Sequence, residues 1–184
     1  MKRRTWIAGL VGLGVLGFGG WAAWRSSAHK APQANRSLTP KTLSPEVQTF
    51  FDAQLPDLQK QPVSMREWLG TPLVLNFWAS WCGPCVREMP ALETLSTEIP
   101  QAKVLGVAID SPDNVTKFLD KIPVTFPIYV AGHGGISLTK ALGNTQGGLP
   151  FTVLINADGE LVETIKGEIN PEVLESKIKQ MLVS

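Results

Sequence analysis

The only two cysteines of the 184-residue chain stand two residues apart, in Trp81-Cys82-Gly83-Pro84-Cys85. Two thiols at that spacing can close into a disulfide and reopen by exchange with another one. No further cysteine is left for a structural disulfide or a four-cysteine zinc site, so the pair reacts with itself or with something outside the chain. The elements around the pair set its reactivity. Pro72-Leu73-Val74-Leu75-Asn76-Phe77-Trp78 is nearly all apolar and predicts a buried strand, and Val86 to Leu95 predicts a helix. A C-x-x-C at such a junction is the setting of a thiol–disulfide redox site. Cys82 then lies at the helix start, where unpaired N–H groups and the positive end of the dipole stabilise a thiolate. Its pKa is expected to fall below the free value of about 8.5. Cys82 is expected to be the exposed nucleophile, with Cys85 buried beneath it and close enough to form the disulfide. Pro84 suits the first helical turn, where a missing N–H costs nothing.

Trp81-Cys82-Gly83-Pro84-Cys85 resembles the active-site motif of thioredoxin. Its surroundings resemble the membrane-anchored thioredoxin-like proteins of the bacterial envelope, the TlpA/ResA/CcmG group. Thioredoxin carries a buried aspartate in the strand before the motif; here that position is Asn76, which cannot ionise. The envelope group carries a glutamate in C-x-x-C-x-x-E-x-P, matched here by Cys85-Val86-Arg87-Glu88-Met89-Pro90. A second match is Leu149-Pro150 at the head of the apolar run Phe151-Thr152-Val153-Leu154-Ile155. In the family this X–Pro bond is cis and faces the cysteines. The resemblance covers roughly Val63 to Leu182. It implies an α/β thioredoxin fold: a mixed, mostly parallel central sheet with helices on both faces and an extra βα unit before Pro150. It also implies a thiol–disulfide oxidoreductase, reducing protein disulfides without a bound cofactor. The electron donor implied is a membrane-embedded thiol transporter, and apocytochrome c is among the clients of part of the group.

The rest of the chain divides into an expected membrane segment (residues 1–25), a flexible linker (26–43) and the thioredoxin-like domain (44–184). Thr5 to Trp24 is 20 residues without a charge, behind Lys2-Arg3-Arg4. At about 1.5 Å per helical residue it spans a hydrocarbon core of about 30 Å, with Trp6, Trp21 and Trp24 near the interfaces. The basic end would stay in the cytoplasm, which puts the domain in the periplasm, held to the inner membrane through residues 5–24. The competing reading is a signal peptide cut after Ser26-Ser27-Ala28, leaving a soluble periplasmic protein. Gly12-Leu13-Gly14-Val15-Leu16-Gly17 spells a dinucleotide-binding pattern, but no strand precedes it and no acid follows about 20 residues on. We read it as membrane-helix composition.

Further elements follow from local signals. Ser44-Pro45 caps a short helix with Val47, Phe50 and Phe51 on one face. Lys103 to Ile109 is a second strand, parallel to the first, and Ser111-Pro112 caps a helix to about Asp120. A further helix is expected near Ser137 to Leu142. Asp158-Gly159 turns a hairpin, and Asn170-Pro171 caps a last helix with Val173, Leu174, Ile178 and Leu182 inward.

The site residues are assigned as follows. Cys82 attacks a partner disulfide, and Cys85 resolves the mixed disulfide. Glu88, one helical turn beyond Cys85 and on its face, takes up the proton that Cys85 must lose, its pKa raised by partial burial. Trp81, Gly83, Pro84, Leu149 and Pro150 form a groove for substrate, with the Leu149 backbone free to pair with an extended client strand. Whether Asn76 helps by hydrogen bonding stays open. His133 is expected to be a surface residue, and no metal site is expected. A formal net charge of +1 gives no case for nucleic acid. Three other readings compete: an oxidase or isomerase, a copper or zinc carrier using Cys82, Cys85 and Met89, and a binding module that uses the groove alone.

Overall fold

A computed structural model describes residues 43–183. The expected membrane segment, most of the linker and the glycine pattern lie outside them. Among the described residues no helix is long and apolar enough to cross a membrane.

The described chain opens with α1 (Pro45–Phe51), which buries Val47, Phe50 and Phe51. Ser44 has the extended N-cap backbone, but its hydroxyl makes no capping bond to the helix; it pairs with Glu46 instead. A small antiparallel sheet follows, β1 (Gln54–Pro56) on β2 (Pro62–Ser64). Three-residue strands are too short to show a period, and sequence reasoning missed both. Their turn is held by Asp57, whose Oδ1 accepts from Gln59 N at 2.9 Å and Gln61 N at 2.8 Å. A 3-10 turn at Met65–Trp68 leads to the central sheet.

That sheet and its helices run β3 (Leu73–Trp78), α2 (Gly83–Glu98), β4 (Lys103–Ala108), α3 (Pro112–Leu119), β5 (Ile128–Val130), α4 (Gly135–Ala141), β6 (Phe151–Ile155), β7 (Leu161–Lys166) and α5 (Pro171–Val183). The spatial order is β5-β4-β3-β6-β7. β3 pairs parallel with β4, and β4 with β5, while β6 runs antiparallel to both β3 and β7. β6 alone is reversed, which makes the sheet mixed as expected.

Alternation along the strands divides the core in two. Val74 and Trp78 belong to the layer of Leu92 of α2, Val115 of α3 and Leu174 of α5. Leu73, Leu75 and Phe77 belong to the layer of α1, with Leu142 beyond the end of α4. A strand covered on both sides can be apolar at nearly every position, and all six residues of β3 are buried. Gly106 shows how closely the first layer is filled. A Cβ there would come 2.4 Å from Ile128 Cδ1, 3.1 Å from Trp78 Nε1 and 3.2 Å from Phe126 Cε2.

Several boundaries differ from expectation. α2 begins at Gly83 and continues through Pro90 to Glu98, longer than the predicted 86–95. A 3-10 turn at Gly132–Gly134 leads straight into α4, which starts two residues before Ser137. In α5 the buried residues are Leu174, Ile178 and Met181, while Val173 is exposed. Leu182 is only partly buried. Positions 174, 178 and 181 follow the i, i+4, i+7 stripe, which passes between Val173 and Leu182.

Candidate active site

At the end of β3 the chain leaves the sheet. Ile109 N still donates to Trp78 O at 2.8 Å, and Cys82 N donates to Ala79 O at 3.1 Å. This turn puts Cys82 at the N-cap of α2 with an extended backbone, φ −91° and ψ 104°. Its Sγ accepts the Cys85 N–H at 3.3 Å. The sulfur thus stands where a capping oxygen would, beside unpaired donors and the positive helix end, a place that favours an anion.

Cys82 and Cys85 are joined as a disulfide with Cα atoms 5.3 Å apart. Cys85 is fully buried, as predicted. Cys82 is only 7% exposed, less open than the expected nucleophile, because in the disulfide its sulfur turns inward to Cys85 and the helix N–H. The motif is exposed at Gly83 and at Trp81, whose side chain is the large exposed one at 65%. Leu149–Pro150 is a cis peptide bond. Pro150 is buried and its carbonyl accepts from Gly167 N at 2.9 Å. Leu149 lies outside the β6 ladder, whose register starts at Phe151 against Phe77.

Glu88 is 2% exposed and belongs to a network that only the fold could reveal. Its Oε1 accepts from Asn76 Nδ2 at 2.7 Å, and its Oε2 accepts from Ile169 N at 3.0 Å. The second hydrogen of the Asn76 amide goes to Thr152 Oγ1 at 3.0 Å. Asn76 Oδ1 has no partner among the described residues. Burial pushes the Glu88 carboxyl above its ordinary range; the Ile169 N–H and the Asn76 amide pull it back, and the charge of Glu168 pushes it up again. The net direction is upward, as expected from the sequence. Asn76 therefore does hydrogen-bond, as a donor to the carboxylate. The segment that carries Ile169 is fastened to α2 by a two-point pair. Arg87 Nε donates to Glu168 at 3.1 and 3.2 Å, and Arg87 Nη2 donates to Glu168 Oε2 at 2.6 Å.

Two contributors escaped the sequence reading. Thr152 could have been found from register, since Asn76 pairs with Thr152 across β3 and β6. Ile169 acts through its backbone and leaves no side-chain signal. His133 is exposed, as expected.

Residues 30–182 match the Redoxin family model. The chain belongs to the redoxin family. It is 34% identical over 124 residues to the thiol-disulfide oxidoreductase ResA of Halalkalibacterium halodurans, covering 66% of this chain and 68% of that protein. It is 28% identical over 181 residues to the thioredoxin-like protein YneN of Bacillus subtilis, covering 95% of this chain and 97% of that one. Among solved structures, the thioredoxin-related protein of Neisseria meningitidis serogroup B matches with a TM-score of 0.63 and 34% identity, over 71% of this chain and all of that one (100%). The resemblance to the TlpA/ResA/CcmG group and the class of thiol–disulfide oxidoreductase thus hold for this redoxin. So does the thioredoxin-like α/β fold.

Proposed function

We propose that this redoxin reduces protein disulfides, with Cys82 as nucleophile, Cys85 as resolving thiol and Glu88 as the proton acceptor. The observation that carries the reading is the placement of Cys82 Sγ at the cap of α2 with the Cys85 N–H directed at it. In the reduced form the Cys82 thiolate attacks one sulfur of a client disulfide. A Cys82–client disulfide forms and the other client sulfur leaves as a thiolate. Cys85 then gives its proton to Glu88, and the Cys85 thiolate attacks Cys82 Sγ. The mixed disulfide breaks, the second client sulfur leaves, and Cys82–Cys85 closes. Two electrons pass to the client, and the proton held on Glu88 returns to a departing thiolate. A buried carboxylate with a raised pKa suits that exchange near neutral pH.

The groove of Trp81, Gly83, Pro84, Leu149 and Pro150 receives the client as an extended strand on the Leu149 backbone. The domain works in the periplasm, tethered to the inner membrane by residues 5–24, and a membrane thiol transporter returns its electrons. Apocytochrome c is the first client to test. Support for this setting comes from the charge-free run of the N-terminus and from the envelope group that the motif resembles.

The test is the reduction potential of the Cys82–Cys85 couple, by equilibration with dithiothreitol or glutathione. A value near the reductant figure of about −270 mV supports the reading, and one near the oxidant figure of about −120 mV reverses the direction of transfer.

A further inference from the structure

Asp110 is 3% exposed, carries a carboxylate, and takes no part in the exchange just described. It lies two residues beyond the end of β4, on the side of the sheet where the motif loop emerges. Its Oδ2 accepts from Ser80 N at 3.0 Å and from Ser80 Oγ at 2.6 Å. Its Oδ1 accepts from Ser111 N at 2.7 Å and from Asn114 Nδ2 at 2.9 Å. These four donors hold the carboxyl below its ordinary range although burial works the other way. One carboxylate therefore joins the end of β4, the start of α3 and the loop that carries Trp81 and Cys82.

Packing fixes that loop at its first residue, Ala79, which is fully buried in the core; beyond it the backbone bonds are few. The β3–β4 ladder stops at the bond from Ile109 N to Trp78 O, and one turn bond, Cys82 N to Ala79 O, lies beyond it. Trp81 stands largely in solvent and contributes little packing there. Yet the place of Cys82 at the helix cap depends on the path of the three residues before it. A side chain that grips the middle residue of the three by both its N–H and its hydroxyl sets that path.

We infer that Asp110 is a positioning residue for Cys82: through Ser80 it fixes the loop so that the Cys82 sulfur sits on the α2 N-terminus and forms its thiolate there. The inference rests on the reading of Cys82 as the nucleophile. The other charged residues of α2, of α3 and of the segments just after α3 and β7 are Arg87, Glu88, Glu93, Glu98, Asp113, Lys117, Asp120, Lys121 and Glu168. Removing the Asp110 charge would by itself make the Cys82 thiolate easier to form. A rise in the Cys82 pKa on that removal is therefore the signature of lost positioning.

The experiment uses the reduced full-length chain and follows alkylation of Cys82 against pH, alongside thermal unfolding. Four variants are compared with the parent: Asp110→Ala, Ser80→Ala, Ser80→Thr and Asn114→Ala. Asn114→Ala removes a bond to the same carboxylate from the α3 side and leaves the loop tie intact. The expected result is a Cys82 pKa raised by about half a unit or more in Asp110→Ala. Ser80→Ala raises it less, Ser80→Thr restores it, and Asn114→Ala lowers the Tm without moving it. If Asp110→Ala does not fold, the Ser80 pair decides. A Cys82 pKa that is unmoved or lowered in the deciding variant, or that Asn114→Ala raises equally, overturns the inference. A parent Cys82 with no depressed pKa at all would instead count against the proposed nucleophile, a separate failure.

Discussion

Replacing Glu88 by Gln tests the proton step and the cost of burying its acid in one variant. In the folded protein burial raises the Glu88 pKa, so the native state holds that proton more tightly than the unfolded chain does. The sign follows from linkage. Stability from this group is fully present below the unfolded pKa, declines as pH rises toward the raised folded value, and levels off above it. Each unit of upward shift costs the folded protein about 1.4 kcal/mol once both states are ionised. Glu88→Gln abolishes that loss. The substituted amide can keep its oxygen on the Ile169 N–H and turn its nitrogen toward Asn76, whose Oδ1 has no partner among the described residues. Asn76 then turns its oxygen to meet it, and the Thr152 hydroxyl can donate to the same oxygen. One amide end stays unpaired, as before, so the substitution introduces no additional orphaned group. The assay is urea unfolding of the oxidised protein from pH 4 to pH 9, a range chosen (roughly) to bracket a raised carboxyl. With the disulfide closed neither thiol titrates, and the difference between variant and parent cancels the other groups. The expected difference grows with pH in favour of Glu88→Gln and then becomes flat. In the reduced protein the same variant slows resolution of a mixed disulfide by about 10²-fold or more. A flat difference curve together with unchanged resolution would falsify both the raised pKa and the proton role.

Four other substitutions give independent readings. Cys85→Ser should accumulate a mixed disulfide between Cys82 and a client peptide, visible by mass and reversed by dithiothreitol, whereas Cys82→Ser should form none. Equal trapping by either variant would remove the ordered roles. Gly106→Ala should destabilise the domain by about 1–3 kcal/mol, read from urea midpoints, because the new Cβ meets Ile128 Cδ1 at 2.4 Å and two aromatic rings near 3.1–3.2 Å. A neutral result would mean that the layer over β4 yields more easily than its packing suggests. Asn76→Asp would set a second carboxylate where the amide now lies 2.7 Å from Glu88. Two such groups cannot both ionise cheaply, so one proton is retained to higher pH. Stability of the oxidised protein should then fall with rising pH over a wider window than in the parent. An unchanged profile would mean that the new acid turns away from Glu88.

The motif and its two flanking elements were legible in the sequence because each rests on a local signal: six buried positions in β3, a proline in the first turn of α2, and an acid one turn beyond Cys85. Elements without such a signal were missed or misplaced. β1 and β2 are too short to show alternation. The inward stripe of α5 took Val173 for a core residue because hydrophobicity alone cannot separate neighbours about 100° apart on a helix. Ser44 stands at the N-cap of α1 as expected, but its hydroxyl makes no bond to the helix, which the capping pattern does not register.

The site was legible in its reactive atoms and illegible in what holds them. Cys82, Cys85 and Glu88 share one helix, so spacing alone relates them. What holds them comes from four other segments: Asn76 on β3 and Ile169 past β7 bond Glu88 directly, Thr152 on β6 bonds Asn76, and Asp110 past β4 bonds Ser80 in the loop before Cys82. Of these, Asn76 is visible as one polar residue in an apolar strand, but the sequence shows only that an acid is missing there and leaves open whether the amide hydrogen-bonds. The fold gives it a positive meaning. An amide at that position donates to the buried Glu88 carboxylate, where an aspartate would compete with it for a proton. The loss of one buried acid and the gain of another are thus two halves of one arrangement. That is why Glu88 can be 2% exposed and still have two hydrogen-bond donors waiting for its charge. A carboxyl pushed up by burial and held in check by two donors is stable in both protonation states, which the proposed exchange with Cys85 requires and a carboxyl buried without donors would not provide.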